Sequence, residues 1–278
     1  MIPHLRRQVR FDTLACIGQW VNVIQQMGVC VMGMLWQRIS AEQPAPPWGV
    51  LTAVSMTIGA FAAIVLGAGI VGSFAMQPPT APLLAYCIGM GFAALLVTAA
   101  RNRTPSDAAA LGLARTDVRL PLVLMLSFGI GAAFDLLTLA LTNQPLIVPE
   151  LASAGGAAAI NRAGFGVWVL AALLLIVLQP IGEGLVFRGV TYPALRRYLG
   201  ARAGFLMTAL WHGIFHMVVY APQGDNSFGA MWLTLIVPTL VGLYLGAVRA
   251  ATGSTRASMV AHAGLGLFFI IRALTVVS

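Results

Sequence analysis

Four side chains able to hold or move a proton gather in the last third of a very apolar chain. Glu183 lies in "QPIGEGLVFRG", His212 and His216 in "TALWHGIFH", and His262 in "MVAHAGLG". An ionisable group inside a bilayer costs at least ~2.5 to 3.5 kcal/mol on insertion scales, so such groups face one another or a wet cavity. His212 and His216 are four residues apart and share one face of a helix. One Glu with two or three His is a ligand set suited to zinc with a position left open for water. The same set suits general acid–base work. Each His taken singly also reads as a hydrogen-bonded packing residue. Asp135, in "GAAFDLLTLA", reads as an isolated intramembrane acid without a partner or a role.

The elements that carry these groups are membrane helices. Hydrophobic residues make up 59% of the 278 residues and charged residues only 9%, outside the range of soluble domains. Apolar runs near 48–75, 81–100, 119–141, 164–187, 203–221, 229–248 and 257–275 are each close to the ~20 residues that span a bilayer as a helix. An eighth run, 13–36, is interrupted by Gln19, Asn22, Gln25 and Gln26. Because Gln19, Asn22 and Gln26 line one face, it reads as an interfacial helix or as a span whose polar stripe packs inward. The fold expected is all-α, a polytopic membrane helix bundle of seven to eight transmembrane helices. It forms one integral membrane domain, 1–278, with an amphipathic or polar-striped N-terminal helix in 1–40. Gly242 and Gly246 read as a close helix-packing pair.

All sixteen basic residues are arginine. Arg101, Arg103, Arg115 and Arg119 share one loop, Arg188, Arg196, Arg197 and Arg202 a second region, and Arg249 and Arg256 flank a third. Seven spans put these three on one side, which the positive-inside bias makes cytoplasmic. Glu183 and His262 then lie roughly 7 to 9 Å from that side and His216 roughly 20 Å, able to meet in a cavity open to the cytoplasm if Pro180 kinks its helix. Arginines at span ends meet headgroups, so the net charge of +8 does not point to nucleic acid. Cys16, Cys30 and Cys87 form neither a disulfide framework nor a C-x-x-C site.

"EGLVFRG", "TALWHGIFH" and "GLYLGAVRAATGSTRASMVAHAGLG" together resemble the three ordered motifs of the CAAX-protease and bacteriocin-processing family of intramembrane metalloproteases, across about residues 175–275. The family pattern is Glu-Glu-x-x-x-Arg, Phe-x-x-x-His and His-x-x-x-Asn/Asp. Glu183 and Arg188 match the first motif, His216 the second and His262 the third. Gly184 stands where the second Glu belongs, His212 where the Phe belongs and Gly266 where the Asn/Asp belongs.

The resemblance implies an endopeptidase acting on a membrane-associated protein or peptide. Glu183 and His216 would activate water, and His262 would stabilise the oxyanion. The metal, a divalent ion and zinc by its ligand chemistry, would draw on Glu183, His216, His262 and His212. Arg188 would pair with Glu183 or anchor at the headgroups. His212 would replace the donor lost at Gly266 or fill the space of the Phe. The site that results belongs in a bacterial cytoplasmic membrane. Two other classes use the same residues: a non-catalytic family member serving as a binding or immunity scaffold, and a proton-linked transporter. The absence of repeated halves by eye weighs against the transporter.

Overall fold

The computed structural model describes residues 33–277, except 102, 103, 115 and 221–226. The chain divides into two compact units, Met1–Ala41 and Glu42–Ser278. In the first, residues 33–40 are helical; residues 13–32 of the polar-striped run, and most of the N-terminal helix expected in 1–40, lie outside the described residues.

The second unit is all-α, with no strand among the described residues. Seven of its helices are long and apolar enough to cross a membrane. They are α1 (Val50–Ser73), α2 (Thr80–Arg101), α4 (Leu120–Thr142), α7 (Phe165–Leu199), α8 (Ala201–Tyr220), α9 (Phe228–Thr252) and α10 (Thr255–Val277). Three short helices sit between them: α3 (Pro105–Leu111), α5 (Pro149–Ser153) and α6 (Gly156–Ala163). This is an integral membrane helix bundle, and its seven spans fall on the seven apolar runs. In hydrocarbon every backbone polar group must be satisfied within the segment, and a helix does that. Leu51, Val65, Leu95, Met125 and Leu136 are all more than half exposed, as a lipid-facing surface requires.

Two of the spans are not plain α-helices. α7 contains π-helical stretches at Leu173–Leu178 and Gly184–Thr191, and α9 contains one at Trp232–Ile236. Each comes just before a proline that opens the next α-helical segment: Pro180, Pro193 and Pro238. A proline has no N–H to donate, and its ring crowds the carbonyl four residues back. A widened turn at that point lets the helix run on, where a sharp kink is the alternative. The kink expected at Pro180 is therefore spread over a π turn. α7 also continues to Leu199, well past the expected end near 187, and places Arg196 and Arg197 in its last turn, where they favour the helix dipole. At 35 residues it is about 50 Å long at 1.5 Å per residue, so Glu183 sits near its middle.

Two of the arginine-bearing connections meet. The Thr255 N–H donates to the Gly112 carbonyl at 2.9 Å and the Thr255 hydroxyl to the Leu111 carbonyl at 2.6 Å. Arg249 Nε donates to the Thr255 hydroxyl at 3.0 Å. The α3 segment and the α9–α10 turn thus share one end of the bundle. Cysteine-accessibility labelling in intact cells is expected to place positions in 104–119 and at the α7–α8 turn on the same, cytoplasmic side. Labelling of these two regions from opposite sides would break the span count.

Candidate active site

The site is built around α7. Glu183 is 1% exposed, yet its carboxylate meets side-chain nitrogens on three sides. Oε2 lies 2.8 Å from His212 Nε2, and Oε1 lies 3.2 Å from His216 Nε2. Gln179, one turn earlier on α7, donates its amide N–H to Oε1 at 3.0 Å. His212 and His216 project from one face of α8, their rings edge to face at 4.7 Å, as the four-residue spacing predicts.

His212 is oriented from behind. Its Nδ1 lies 3.0 Å from the carbonyl oxygen of Pro238 on α9. A carbonyl only accepts, so Nδ1 carries the proton and Nε2 is the atom turned to Glu183. α9 comes this close because Gly242 has no side chain; a Cβ there would lie 3.0 Å from the Ala209 backbone and 3.2 Å from His212 Nδ1. Gly246 packs similarly against the Phe205 ring, so the small-residue pair does bring α8 and α9 together.

Glu183, His212 and His216 form a buried cluster that could hold a divalent metal, one ligand atom from each lying within 4.8 Å of the others. Two donors ~2.05 Å from a tetrahedral zinc stand about 3.3 Å apart; the 3.2 Å separation matches that spacing and the 2.8 Å one is shorter. His262 is not in this compact set. It lines the same cavity, of about 40 Å³, with Glu150, Gln179, His212, His216 and Gly266, and its buried Nδ1 has no partner among the described residues. A few tens of Å³ holds a water or two.

Other residues stand differently from expectation. Arg188 is 1% exposed, which rules out a headgroup anchor. It lies within electrostatic range of Glu183, with its Nε and Nη1 unpartnered among the described residues. At Gly266 the α10 backbone is pressed against α7, and any Cβ would collide with the Leu175 carbonyl; the Asn/Asp of the motif has no room there. A Cβ at Gly184 would meet only the flexible Met259 side chain, 2.6 Å from its Cγ. Asp135 is not isolated. Its Oδ2 accepts from Arg272 Nε at 2.8 Å and its Oδ1 from the Leu146 N–H at 2.8 Å.

That second bond matters for a residue the sequence reading missed. Leu146 opens the connection to α5, and α5 carries Glu150 into the site. Glu150 is 2% exposed; its Oε1 accepts from Gln179 Nε2 at 2.6 Å and lies 3.7 Å from His216 Nδ1. Burial pushes its carboxyl up from the usual carboxylate range, and His216 beside it pulls back the other way. Gln179 was legible as a polar residue one turn before Glu183. Glu150 was the lone acid of 143–163, a segment outside every predicted span.

Comparison with known families finds a similarity in the same region. Residues 165–268, a little over a third of the chain, match a family model described as Type II CAAX prenyl endopeptidase Rce1-like. The match covers Glu183, Arg188, His212, His216 and His262 and leaves out Glu150. No curated protein and no solved structure matches the chain.

Asp135→Ala is expected to lower stability in detergent by about 2–4 kcal/mol, since it strips Arg272 of its carboxylate and frees the Leu146 N–H. Thermal unfolding checks this, and an unchanged midpoint would show that the Asp135 bonds do not hold the connection.

Proposed function

We propose that the protein is an intramembrane metalloendopeptidase of the CAAX-protease and bacteriocin-processing family, cleaving a membrane-associated protein or peptide. The observation that carries this reading is the convergence of two His Nε2 atoms on the buried Glu183 carboxylate, with His262 on the wall of the same cavity, inside the matched segment. The set Glu183, His212 and His216 suits zinc, and His262 is near enough to line the approach. A bound zinc would lower the pKa of its water toward ~7 and polarise the scissile carbonyl.

The chain's own groups supply the rest. Oε1 of Glu183, steadied by Gln179, takes the proton of the attacking water, which His216 Nε2 beside it helps to hold, while Oε2 stays with His212. His262 donates to the carbonyl oxygen as charge develops there. His212 does more than fill the space of the family Phe, because its Nδ1 bond to Pro238 aims Nε2 at the reacting centre. Arg188 offsets the Glu183 charge at longer range. The reacting cavity admits water but not a peptide, so the peptide approaches through the adjoining chamber of about 270 Å³, which shares Pro149 with it and is lined by Tyr86, Ser153, Tyr220 and Thr234. The setting is a bacterial cytoplasmic membrane, with the arginine-bearing connections cytoplasmic. The chamber, beside the α8 end at Tyr220, lies away from the α7–α8 turn, which favours approach from that end over the cytoplasmic opening expected from the sequence.

A second reading has its own observation. The packing at Gly266 leaves no room for a donor side chain there, which suits a protein that binds a partner without cleaving it. Peptidase assay of the purified protein separates the two. Endopeptidase activity is expected, abolished in Glu183→Ala and reduced at least ~10-fold, about 1.4 kcal/mol of transition-state stabilisation, in His212→Phe. Equal cleavage by wild type and Glu183→Ala would sink the catalytic assignment.

A further inference from the structure

We propose that Glu150 is a positioning residue: it accepts a hydrogen bond from the Nδ1–H of His216 and so presents Nε2 of that ring to Glu183. Four observations lead there. His216 Nδ1 is buried without a hydrogen-bond partner among the described residues, a costly state for a buried polar atom if it is left so. A carboxylate oxygen, Glu150 Oε1, faces it at 3.7 Å, within about 1 Å of hydrogen-bond length. Gln179 pins that same oxygen at 2.6 Å while its amide also reaches Glu183, so the two carboxylates are held at a fixed separation on either side of His216. Finally, His212 already shows the arrangement in full, with Nδ1 on an acceptor and Nε2 on Glu183.

The two histidines are thereby treated alike. Each is held by its outer nitrogen and each offers its inner one, as partners in a metal ligand's surroundings do. The Tyr220 ring, 5.2 Å from His216, limits how that imidazole can turn. A buried acid needs a partner to justify its cost, and the Gln179 amide alone carries no charge. Glu150 reaches the site from α5, a helix outside the spans and outside the matched segment, so its role is not one the three motifs contain.

The test reads the ring itself. Solid-state NMR of ¹⁵N-histidine-labelled, metal-free, full-length protein in bilayers, with His216 identified by its loss in His216→Gln, should show a protonated, hydrogen-bonded Nδ1. Glu150→Leu should leave Nδ1 bare and move the proton to Nε2, and Glu150→Gln, which keeps an acceptor, should restore the wild-type pattern. A bare Nδ1 in the wild type overturns the proposal whether or not any variant folds, and so does an unchanged His216 spectrum in Glu150→Leu. The proposal also leans on the metal-site reading in one respect: zinc affinity should fall 10- to 100-fold in Glu150→Leu and recover largely in Glu150→Gln. Wild-type protein that binds no zinc would defeat the metal-site reading, and the NMR result would still decide the role of Glu150.

Discussion

A carboxylate in the middle of a membrane bundle is costly unless charge and hydrogen bonds surround it, and Glu183 sets that requirement for everything near it. Gln179 answers it from the same helix, His212 and His216 from α8, and Arg188 at longer range. These partners have obligations of their own: the outer nitrogen of His212 needs the Pro238 carbonyl, and Gln179 needs a second acceptor, which is Glu150. One buried charge thus recruits three helices and a connecting segment. Removing any member leaves others unpaired in a low-dielectric interior, where the penalty is greatest.

The helices can satisfy this only because their backbones are locally unusual. The π turns before Pro180 and Pro238 bring irregular backbone to the depth of the site, tolerated in a membrane because it is buried in protein. Gly242 and Gly266 let α9 and α10 approach α8 and α7 more closely than any side chain would permit. Gly266 illustrates the exchange: the position that carries a polar donor in the motif it resembles is taken up by helix contact, while His212 brings a polar ring to the same centre. At the far end of the same network, the Asp135–Arg272 pair fixes Leu146 and with it the path that delivers Glu150.

How much of this was legible in the sequence follows from the range of each signal. The seven spans and the shared face of His212 and His216 are local periodicities, and they were readable. Glu183 with its histidines stood out because ionisable groups are rare in apolar runs. The extension of α7 to Leu199 was missed because Arg188 ends the apolar run well before the helix ends. Asp135 looked alone because Arg272 is 137 residues away. Glu150 was invisible for the same reason: nothing in "LIVPELAS" says that this short helix folds back against α7 and α8.

The central claim is that Glu183, His212 and His216 act as one ligand set, and metal content with X-ray absorption tests it most directly. Protein purified without chelator should hold close to one zinc per chain, with only nitrogen and oxygen neighbours at about 2.0–2.1 Å, and replacing His212 by Ala should remove most of it. A protein free of metal after zinc loading, or zinc retained unchanged in His212→Ala, would contradict the account.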